Sequence, residues 1–162
     1  MLSLLYTKLK NSHVFHKLLS KGYEMTIINE NFTVHTKGNT DIIDITPQIR
    51  NLVYNHSLQN AVIYIYAQGS TVSVTNIEFE PGLLVDFPEI MERIAPSDMQ
   101  YHHDEMWHDG NGYSHLRASI IGNSTHIPLI DGVLQLGQWQ QVVLVDFDNK
   151  ARARKVHVQI LY

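Results

Sequence analysis

The amino-acid sequence predicts an α+β domain with a curved or closed, mostly antiparallel mixed sheet and two main helices. Several stretches are alternately or continuously apolar, which is typical of half-buried and fully covered strands. Two other stretches place apolar residues at helical spacing. Turn signals separate the predicted strands, and Asp131-Gly132 is a strong signal for a two-residue hairpin. The predicted order is strands, helix, strands, helix and then three or more antiparallel strands.

The composition of the chain excludes several classes of protein. Its 162 residues, 44% hydrophobic and 17% charged, suffice for one soluble domain with a buried core. A net charge of -4 leaves no basic stripe to neutralise phosphates, so we expect no nucleic-acid partner. The absence of cysteine excludes disulfides and thiolate metal sites, so any metal must be held by nitrogen and oxygen. No apolar run could span a bilayer, and we expect a cytoplasmic protein with no membrane partner.

In the first half of the domain, the sequence predicts strands on either side of a short helix. After a short strand over residues 41–45, Thr46-Pro47 marks a helix start with Thr46 as the N-cap. The nearly continuous apolar run over residues 61–67 predicts a central strand covered on both faces. Residues 70–78 alternate strictly, and Glu78 shares a face with two valines. Either the strand frays there and Glu78 reaches water, or Glu78 points into a site beside the histidine-rich segment that follows.

The second half begins with a helix after Glu80-Pro81-Gly82, and Pro88 lies near its start, where proline is tolerated. Its apolar stripe is expected to be core and comprises Leu83, Leu84, Phe87, Ile90, Met91 and Ile94. After the histidine-rich segment, residues 116–121 return to the interior and buried or alternating strands run to residue 161.

Residues 1–24 differ from the rest of the chain. Four lysines precede the first acid, Glu24, and the apolar residues form only a rough helical stripe. The lysines interrupt the apolar run early, which is unlike a secretory signal, and an organelle transit peptide would be expected to carry arginine. A simpler alternative is that the domain spans 25–162 and that residues 1–24 are a loosely attached extension outside the fold.

The histidine-rich segment, residues 101–117, contains His102, His103, His108 and His115, four of the ten histidines, with acidic residues between them. Gly110 and Gly112 are expected to prevent any regular element and to fold this loop back on itself, so that His103 approaches His115. Neutral imidazole is the commonest nitrogen ligand for zinc-like metals, and carboxylates complete such sites. The alternative is a set of exposed polar loop residues in a histidine-rich protein.

Five stretches, taken together and in this order, carry a resemblance to a known family. They are Gly38 to Thr46, Gly69-Ser70-Thr71 with Glu78 to Leu83, Tyr101 with His103-Asp104, Asn111 to Ala118, and Asp131-Gly132 with Leu136 to Gln140. In this respect the chain from Met25 onwards resembles the YjbQ-type family, also called the secondary thiamine-phosphate synthase family.

The resemblance implies a compact α+β domain with a closed mixed sheet, usually assembled as a homotrimer, and a polar pocket where histidines hold a metal ion. It also implies a weak ability to join a pyrimidine diphosphate and a thiazole phosphate into thiamine phosphate. The chain departs from the family pattern at Gly69 and Tyr113, where many members have histidine, and His108 could compensate. The alternative from another class is a non-catalytic metal- or anion-binding trimeric protein.

On this interpretation, the ligands of a divalent, zinc-like metal are His103, His115 and, as a third, His108. Asp104 would orient an imidazole, and Glu78 would act as a general base or a further ligand. Residues that would bind the small phosphorylated substrate are Arg117 through phosphate charge, Asn111 and Ser114 through hydrogen bonds, and Gln140 at a polar edge of the substrate. Trp139, which comes directly before Gln140, is expected to be a core aromatic residue.

Overall fold

The structure is a computed structural model that describes residues 25–162, so the expectation for residues 1–24 lies outside the described residues. It is an α+β domain, as predicted. In chain order, its elements are β1 (Ile27–Thr36), β2 (Asp41–Asp44), α1 (Thr46–Asn55), β3 (Ala61–Ala67), β4 (Val72–Glu78), α2 (Leu83–Ile94), α3 (His102–Trp107), α4 (Gly112–Ile121), β5 (Ser124–Ile130), β6 (Val133–Leu134), β7 (Gln140–Asp146) and β8 (Arg152–Leu161).

The eight strands form two sheets. One has the strand order β1-β8-β3-β5-β6 and the other β2-β7-β4, and every pairing between these strands is antiparallel. The main core combines the inward-facing residues of both sheets with α1, so the sheets lie face to face. The hairpin between β5 and β6 is confirmed, because Asp131 and Gly132 both have positive φ, at 51° and 77°.

Strand β3 is central in its sheet, as predicted, but the expectation that both of its faces are covered is wrong. Ile63 and Ile65 are fully buried, whereas Val62 and Tyr64 on the other face are 44% and 39% exposed. Strand β7, by contrast, is buried on both faces, because the five-stranded sheet covers one side and α2 and α4 cover the other. A continuous apolar run in the sequence therefore does not distinguish a strand covered on one face from a strand covered on both.

The predicted start of α1 differs in detail from the structure. The helix begins at Thr46 itself, Ile45 occupies the N-cap, and no side chain caps this end. The Thr46 hydroxyl instead accepts the Val142 N–H of β7 at 2.9 Å, while the Asp44 carboxylate accepts the Thr46 N–H at 2.8 Å. The hydroxyl joins the helix to the sheet because Val142 lies where β2 has ended and leaves its N–H without a strand partner.

The expectation that the apolar stripe of α2 is core is wrong in part. Met91 is 3% exposed, but Ile90 and Ile94 are 43% and 50% exposed. The helix packs on β7 mainly through Met91 and Phe87, so only one edge of the stripe is covered. Pro88 is the sixth residue of the helix, deeper than the position near its start that the sequence predicted. The expectation for Trp139 is also wrong, since this side chain is 65% exposed.

Within residues 25–162, no helix is long and apolar enough to cross a membrane.

Candidate functional site

The histidine-rich segment is a pair of short helices, α3 and α4, and the predicted irregular loop is wrong. His108 ends α3 in the left-handed conformation with φ 56°, and Gly110 turns the chain with φ 63°. Gly112 begins α4, and a Cβ atom there would lie 2.5 Å from Cβ of Tyr101. This glycine therefore permits close packing between the helices and does not break one.

His103 and His115 are brought together as predicted, by their places near the starts of α3 and α4. Their ring centroids are 4.3 Å apart and the rings are tilted by 42°. Burial, and secondarily the neighbouring His103, lower the pKa of His115 below its ordinary value, although nearby aspartates oppose this shift. His115 therefore stays neutral to lower pH than a free histidine, and a neutral ring is the form that binds a metal or accepts a proton.

A group of possible metal ligands surrounds His103. One ligand atom each from His103, Asp104 and Asp109 lie within 4.8 Å of one another. His103 Nε2 lies 3.4 Å from Asp109 Oδ1. Asp104 Oδ1 also accepts the Gly112 N–H at 2.9 Å, which fixes the carboxylate against the start of α4. With its NH2 turned toward Asp109, the Asn111 amide lies 3.1 and 3.2 Å from the two carboxylate oxygens.

This cluster differs from the predicted ligand set. His108 is exposed and follows α3 as its C-cap, and neither His108 nor His115 is part of the ligand group. Asp104, predicted to orient an imidazole, is itself one of the group, and Asp109 was missed as a candidate ligand. The available signal was the spacing His-Asp-x4-Asp, in which a single turn of α3 and the following bend return the second aspartate to the first.

Arg117 was predicted to offset phosphate charge, but the structure encloses it. The side chain is 1% exposed, and its Nε and Nη2 donate to the Ala95 carbonyl oxygen at 3.0 and 2.7 Å. Nη2 also lies 2.7 Å from a carboxylate oxygen of Glu92, and the guanidinium stands 4.7 Å from the ring centroid of Tyr113. Arg117 therefore joins α4 to the end of α2, and its burial keeps the guanidinium away from the surface that a substrate could reach.

The other predicted substrate residues are also engaged elsewhere. The Ser114 hydroxyl is fully buried and donates to the Phe147 carbonyl at 2.6 Å. Glu78 and Gln140 face each other in the register of β4 and β7, and Gln140 Oε1 accepts the Gly137 N–H. They lie at the far end of β4 from Val72. Six residues of strand separate Glu78 from Val72, a distance of roughly 20 Å. Glu78 is exposed, which matches the alternative that it reaches water, but it still pairs with Gln140, so the strand does not fray there.

A cavity of about 270 Å³ connects His115 to the start of β4. Its wall contains Gly69 and Ser70 beside Val72, with Ser119 and Asn123 opposite. Gly69, where many family members have histidine, has φ 149°, and a Cβ there would lie 3.0 Å from both Arg154 Nη1 and Val72 Cγ1. An imidazole at this position would strain the backbone and crowd Arg154, so the local structure is adapted to glycine.

Arg117→Ala is expected to lower the free energy of unfolding by about 3 kcal/mol and the melting temperature by about 6–12 °C. The substitution leaves the Ala95 carbonyl without its two donors and opens a cavity between α2 and α4. Thermal unfolding followed by circular dichroism measures the effect. Arg93→Ala is the control, because Arg93 is 74% exposed and makes only a 3.8 Å pair with Glu89. Equal melting temperatures for the two variants would contradict the structural role of Arg117.

Comparison with known proteins assigns this α+β domain to a family. Residues 30–162 match the family described as UPF0047 protein YjbQ-like, and the chain belongs to this family. A UPF0047 protein of Archaeoglobus fulgidus is 36% identical over 129 residues, covering 80% of this chain and 98% of the relative. A UPF0047 protein of Methanothermobacter thermautotrophicus is 29% identical, covering 86% and 95%.

Solved structures agree with this assignment. A YbjQ-like protein of unknown function from Sulfolobus solfataricus has a TM-score of 0.80 at 27% identity, covering 85% of this chain and 99% of that one. A hypothetical protein from Aeropyrum pernix has a TM-score of 0.75 at 29% identity, covering 81% and 96%. The family resemblance drawn from the sequence is therefore confirmed.

Proposed function

We propose that this protein is a secondary thiamine-phosphate synthase-like transferase whose histidine-centred site holds one divalent metal ion. The proposal rests on one observation, the convergence of ligand atoms from His103, Asp104 and Asp109 within 4.8 Å. One imidazole and two carboxylates form a donor set that suits a zinc-like ion, which can keep a further position open for substrate.

The proposed reaction joins a pyrimidine diphosphate and a thiazole phosphate into thiamine phosphate: the thiazole nitrogen forms a bond to the pyrimidine methylene carbon, the bond from that carbon to the diphosphate oxygen breaks, and pyrophosphate leaves. A divalent ion bound here would supply positive charge to the oxygens of a diphosphate. The Gly112 N–H holds Asp104 in place, so one of the three proposed ligands is positioned before the ion arrives. His115 lines the adjoining cavity, and its neutral ring can donate one hydrogen bond and accept another from a substrate.

A second candidate is a metal-binding protein without turnover. The observation that favours it is the enclosure of Arg117, because the group predicted to meet the phosphate charge is bonded inside the fold. In this candidate, the cluster around His103 still binds a divalent ion, but no diphosphate is consumed.

Calorimetric titration with Zn²⁺ and Mn²⁺, combined with an assay for thiamine phosphate formation, separates the candidates. The transferase proposal expects one ion per chain and product formation that stops when a chelator removes the ion. Ion binding without product would favour the second candidate. Failure of both ions to bind would contradict both candidates.

We also propose that the protein assembles as a homotrimer, as the family resemblance implies. The exposed apolar side chains of α2 and the uncovered outer face of β3 are surfaces that an assembly could bury. Light scattering should return three times the 18.6 kDa mass of one chain.

A further inference from the structure

The guanidinium of Arg154 on β8 lies between the end of β7 and the segment of residues 69–71, which leads into β4. Its side chain is only 9% exposed, and its Nε and Nη2 donate to the two Asp146 oxygens at 2.7 and 2.6 Å. Nη2 also donates to the Thr71 hydroxyl at 2.7 Å. One edge of the guanidinium is therefore fixed by the fold, and its orientation does not depend on a ligand.

The third guanidinium nitrogen, Arg154 Nη1, has no hydrogen-bond partner among residues 25–162. It is also not enclosed, because the buried side-chain atoms left without a partner in this part of the chain are Asn76 Oδ1 and Asp148 Oδ1. Nη1 therefore reaches solvent through the small exposed part of the side chain. It is a charged donor that a ligand can occupy.

Gly69 places this free nitrogen beside the cavity that His115 lines. A Cβ atom at Gly69 would lie 3.0 Å from Arg154 Nη1 and equally close to Val72 Cγ1, and both Gly69 and Val72 belong to the cavity wall. The absence of a side chain at position 69 thus leaves Nη1 at the edge of the cavity. A histidine here would set its Cβ against the guanidinium, so the access of Nη1 to this cavity depends on the glycine of this chain.

The cavity itself offers neutral hydrogen-bonding groups. Among the residues that the structure describes, no Asp or Glu lines it, and its polar side chains are Ser70, His115, Ser119 and Asn123. Burial lowers the pKa of His115, so its ring is neutral at neutral pH and can donate one hydrogen bond. The carbonyl end of α4, which would repel an anion, is occupied here, because the Ala118 oxygen accepts the Gly122 N–H at 2.8 Å and the Ser73 hydroxyl at 3.2 Å.

The carboxylates beside Arg154 do not cancel the attraction of Nη1 for an anion. Asp146 contacts Nε and Nη2, and Asp148 contacts Nη2 at 3.4 Å. Arg152 Nε also pairs with Asp148 at 2.9 Å, so these four side chains together carry no net charge. Because Coulomb energy falls with distance, the positive nitrogen at the cavity wall outweighs the carboxylates that are bound to the other nitrogens.

We propose that this cavity is a subsite for a phosphate group, which Arg154 Nη1 binds at the Gly69 wall. The inference rests on the proposed function and assigns the cation that offsets a substrate phosphate, a role that the enclosed Arg117 does not take. The proposed metal ion meets the diphosphate of one substrate, so this subsite is assigned to the single phosphate of the other.

The geometry favours phosphate over carboxylate. A planar carboxylate pairs best with two parallel N–H groups of a guanidinium, and Arg154 already uses Nε and Nη2 in this way on Asp146. A tetrahedral phosphate can direct one oxygen at the single free nitrogen and the others at neutral donors such as Ser70 and His115 in the cavity wall.

The first test compares Ser119→Asp with Ser57→Asp in a calorimetric titration of metal-free protein with inorganic phosphate. Ser119 is exposed on the cavity wall, and its hydroxyl only donates to the His115 carbonyl one turn earlier in α4. A carboxylate there repels phosphate, so its affinity is expected to fall at least about tenfold. Ser57→Asp adds the same charge after α1, away from the cavity, and should leave the affinity unchanged. Equal affinities, or no binding by the wild type, would overturn the proposal.

The second test examines Arg154 in the wild-type protein, because Arg154 also stabilises the fold and its substitution could act through folding. Nuclear magnetic resonance follows the guanidinium N–H signals during the phosphate titration. The signals of Arg154 are expected to shift as the site fills, while those of Arg50 on α1 stay in place. Arg152, whose side chain is 39% exposed, is the critical comparison. Shifts of Arg152 with Arg154 unchanged would place the anion on the outer side of the network and overturn the proposal.

Acetate in place of phosphate separates the two kinds of oxyanion. It is expected to bind at least about tenfold more weakly, since Arg154 has no pair of N–H groups left for a carboxylate. Equal affinity for acetate would overturn the assignment to phosphate.

The remaining outcomes separate this subsite from the metal site. Phosphate binding with the expected Arg154 shifts, by a protein that binds no zinc, would support the subsite and contradict the proposed function. Zinc binding and thiamine phosphate formation by a protein that binds no phosphate would overturn the subsite and leave the proposed function standing.

Discussion

Asp146→Ala is expected to lower the free energy of unfolding by about 3–5 kcal/mol, because it leaves a buried guanidinium without its main partner. Asp146 is fully buried at the end of β7, and its two oxygens accept Arg154 Nε at 2.7 Å and Nη2 at 2.6 Å. The same carboxylate accepts the Thr36 hydroxyl of β1 and so links both sheets. Without it, Arg154 retains Thr71 at 2.7 Å and a longer contact to Asp148 at 3.4 Å.

For a domain of this size, the loss corresponds to a fall of about 6–20 °C in melting temperature. Thermal and urea unfolding at neutral pH measure it. Asp98→Ala is the matched control, since Asp98 is an exposed acid whose removal changes the net charge equally and should alter stability by no more than about 0.5 kcal/mol. If the two substitutions had the same effect, the buried network would not stabilise the fold as described.

His103→Ala is expected to weaken zinc binding at least about 100-fold, since it removes the nitrogen ligand at the centre of the proposed cluster. His102→Ala is the matched control on the preceding residue: its side chain is 99% exposed, and its Nδ1 lies 3.1 Å from a carboxylate oxygen of Glu105. Metal content per chain after dialysis against a weak chelator gives the comparison. Equal retention by the two variants would place any metal elsewhere in the protein.

The other histidine variants refine this result. His115→Ala and His108→Ala are each expected to leave most of the metal bound, because neither residue belongs to the ligand group. Metal affinity should also fall as the solution is acidified, since protonated imidazole cannot bind an ion. Burial and the neighbouring His103 lower the pKa of His115, so His115 protonates at a lower pH than a free histidine.

The local signals in the sequence were reliable where one residue type has one strong conformational role. Asp131-Gly132 specified its hairpin because positive φ at two successive positions suits this pair. The approach of His103 to His115 also followed from a chain reversal between them. The sequence did not show how the chain reverses. Glycine is needed at position 112 because the Cβ of Tyr101 lies too close for a side chain there, and no local sequence pattern carries such a tertiary contact.

The roles of charged residues were the least predictable. Arg117 belongs to a stretch that resembles a substrate-binding motif, yet its partners Ala95 and Glu92 lie more than twenty positions earlier in the chain. From the sequence alone, Asp109 is indistinguishable from a polar loop residue. In the structure, the turn of α3 places its carboxylate beside His103. In both cases the side chain's role depends on which distant backbone atoms it meets, and a single sequence does not contain that information.

The pairing of β1 with β8 constrains the synthesis of this protein. These strands are in register from Ile27 opposite Leu161 to Thr36 opposite Arg152, and the N–H groups of Thr26 and Tyr162 each donate to the other residue's carbonyl. On the ribosome, β1 therefore waits on the order of 10 s for its partner strand to be translated. During that time its inward apolar residues have no strand to pair with, so a nascent chain should depend on chaperones more than the finished domain does. The same closeness of residues 26 and 162 predicts that a circular permutant joined there, with new ends at the Asp131-Gly132 turn, would keep the sheet order while making β1 and β8 neighbours in sequence.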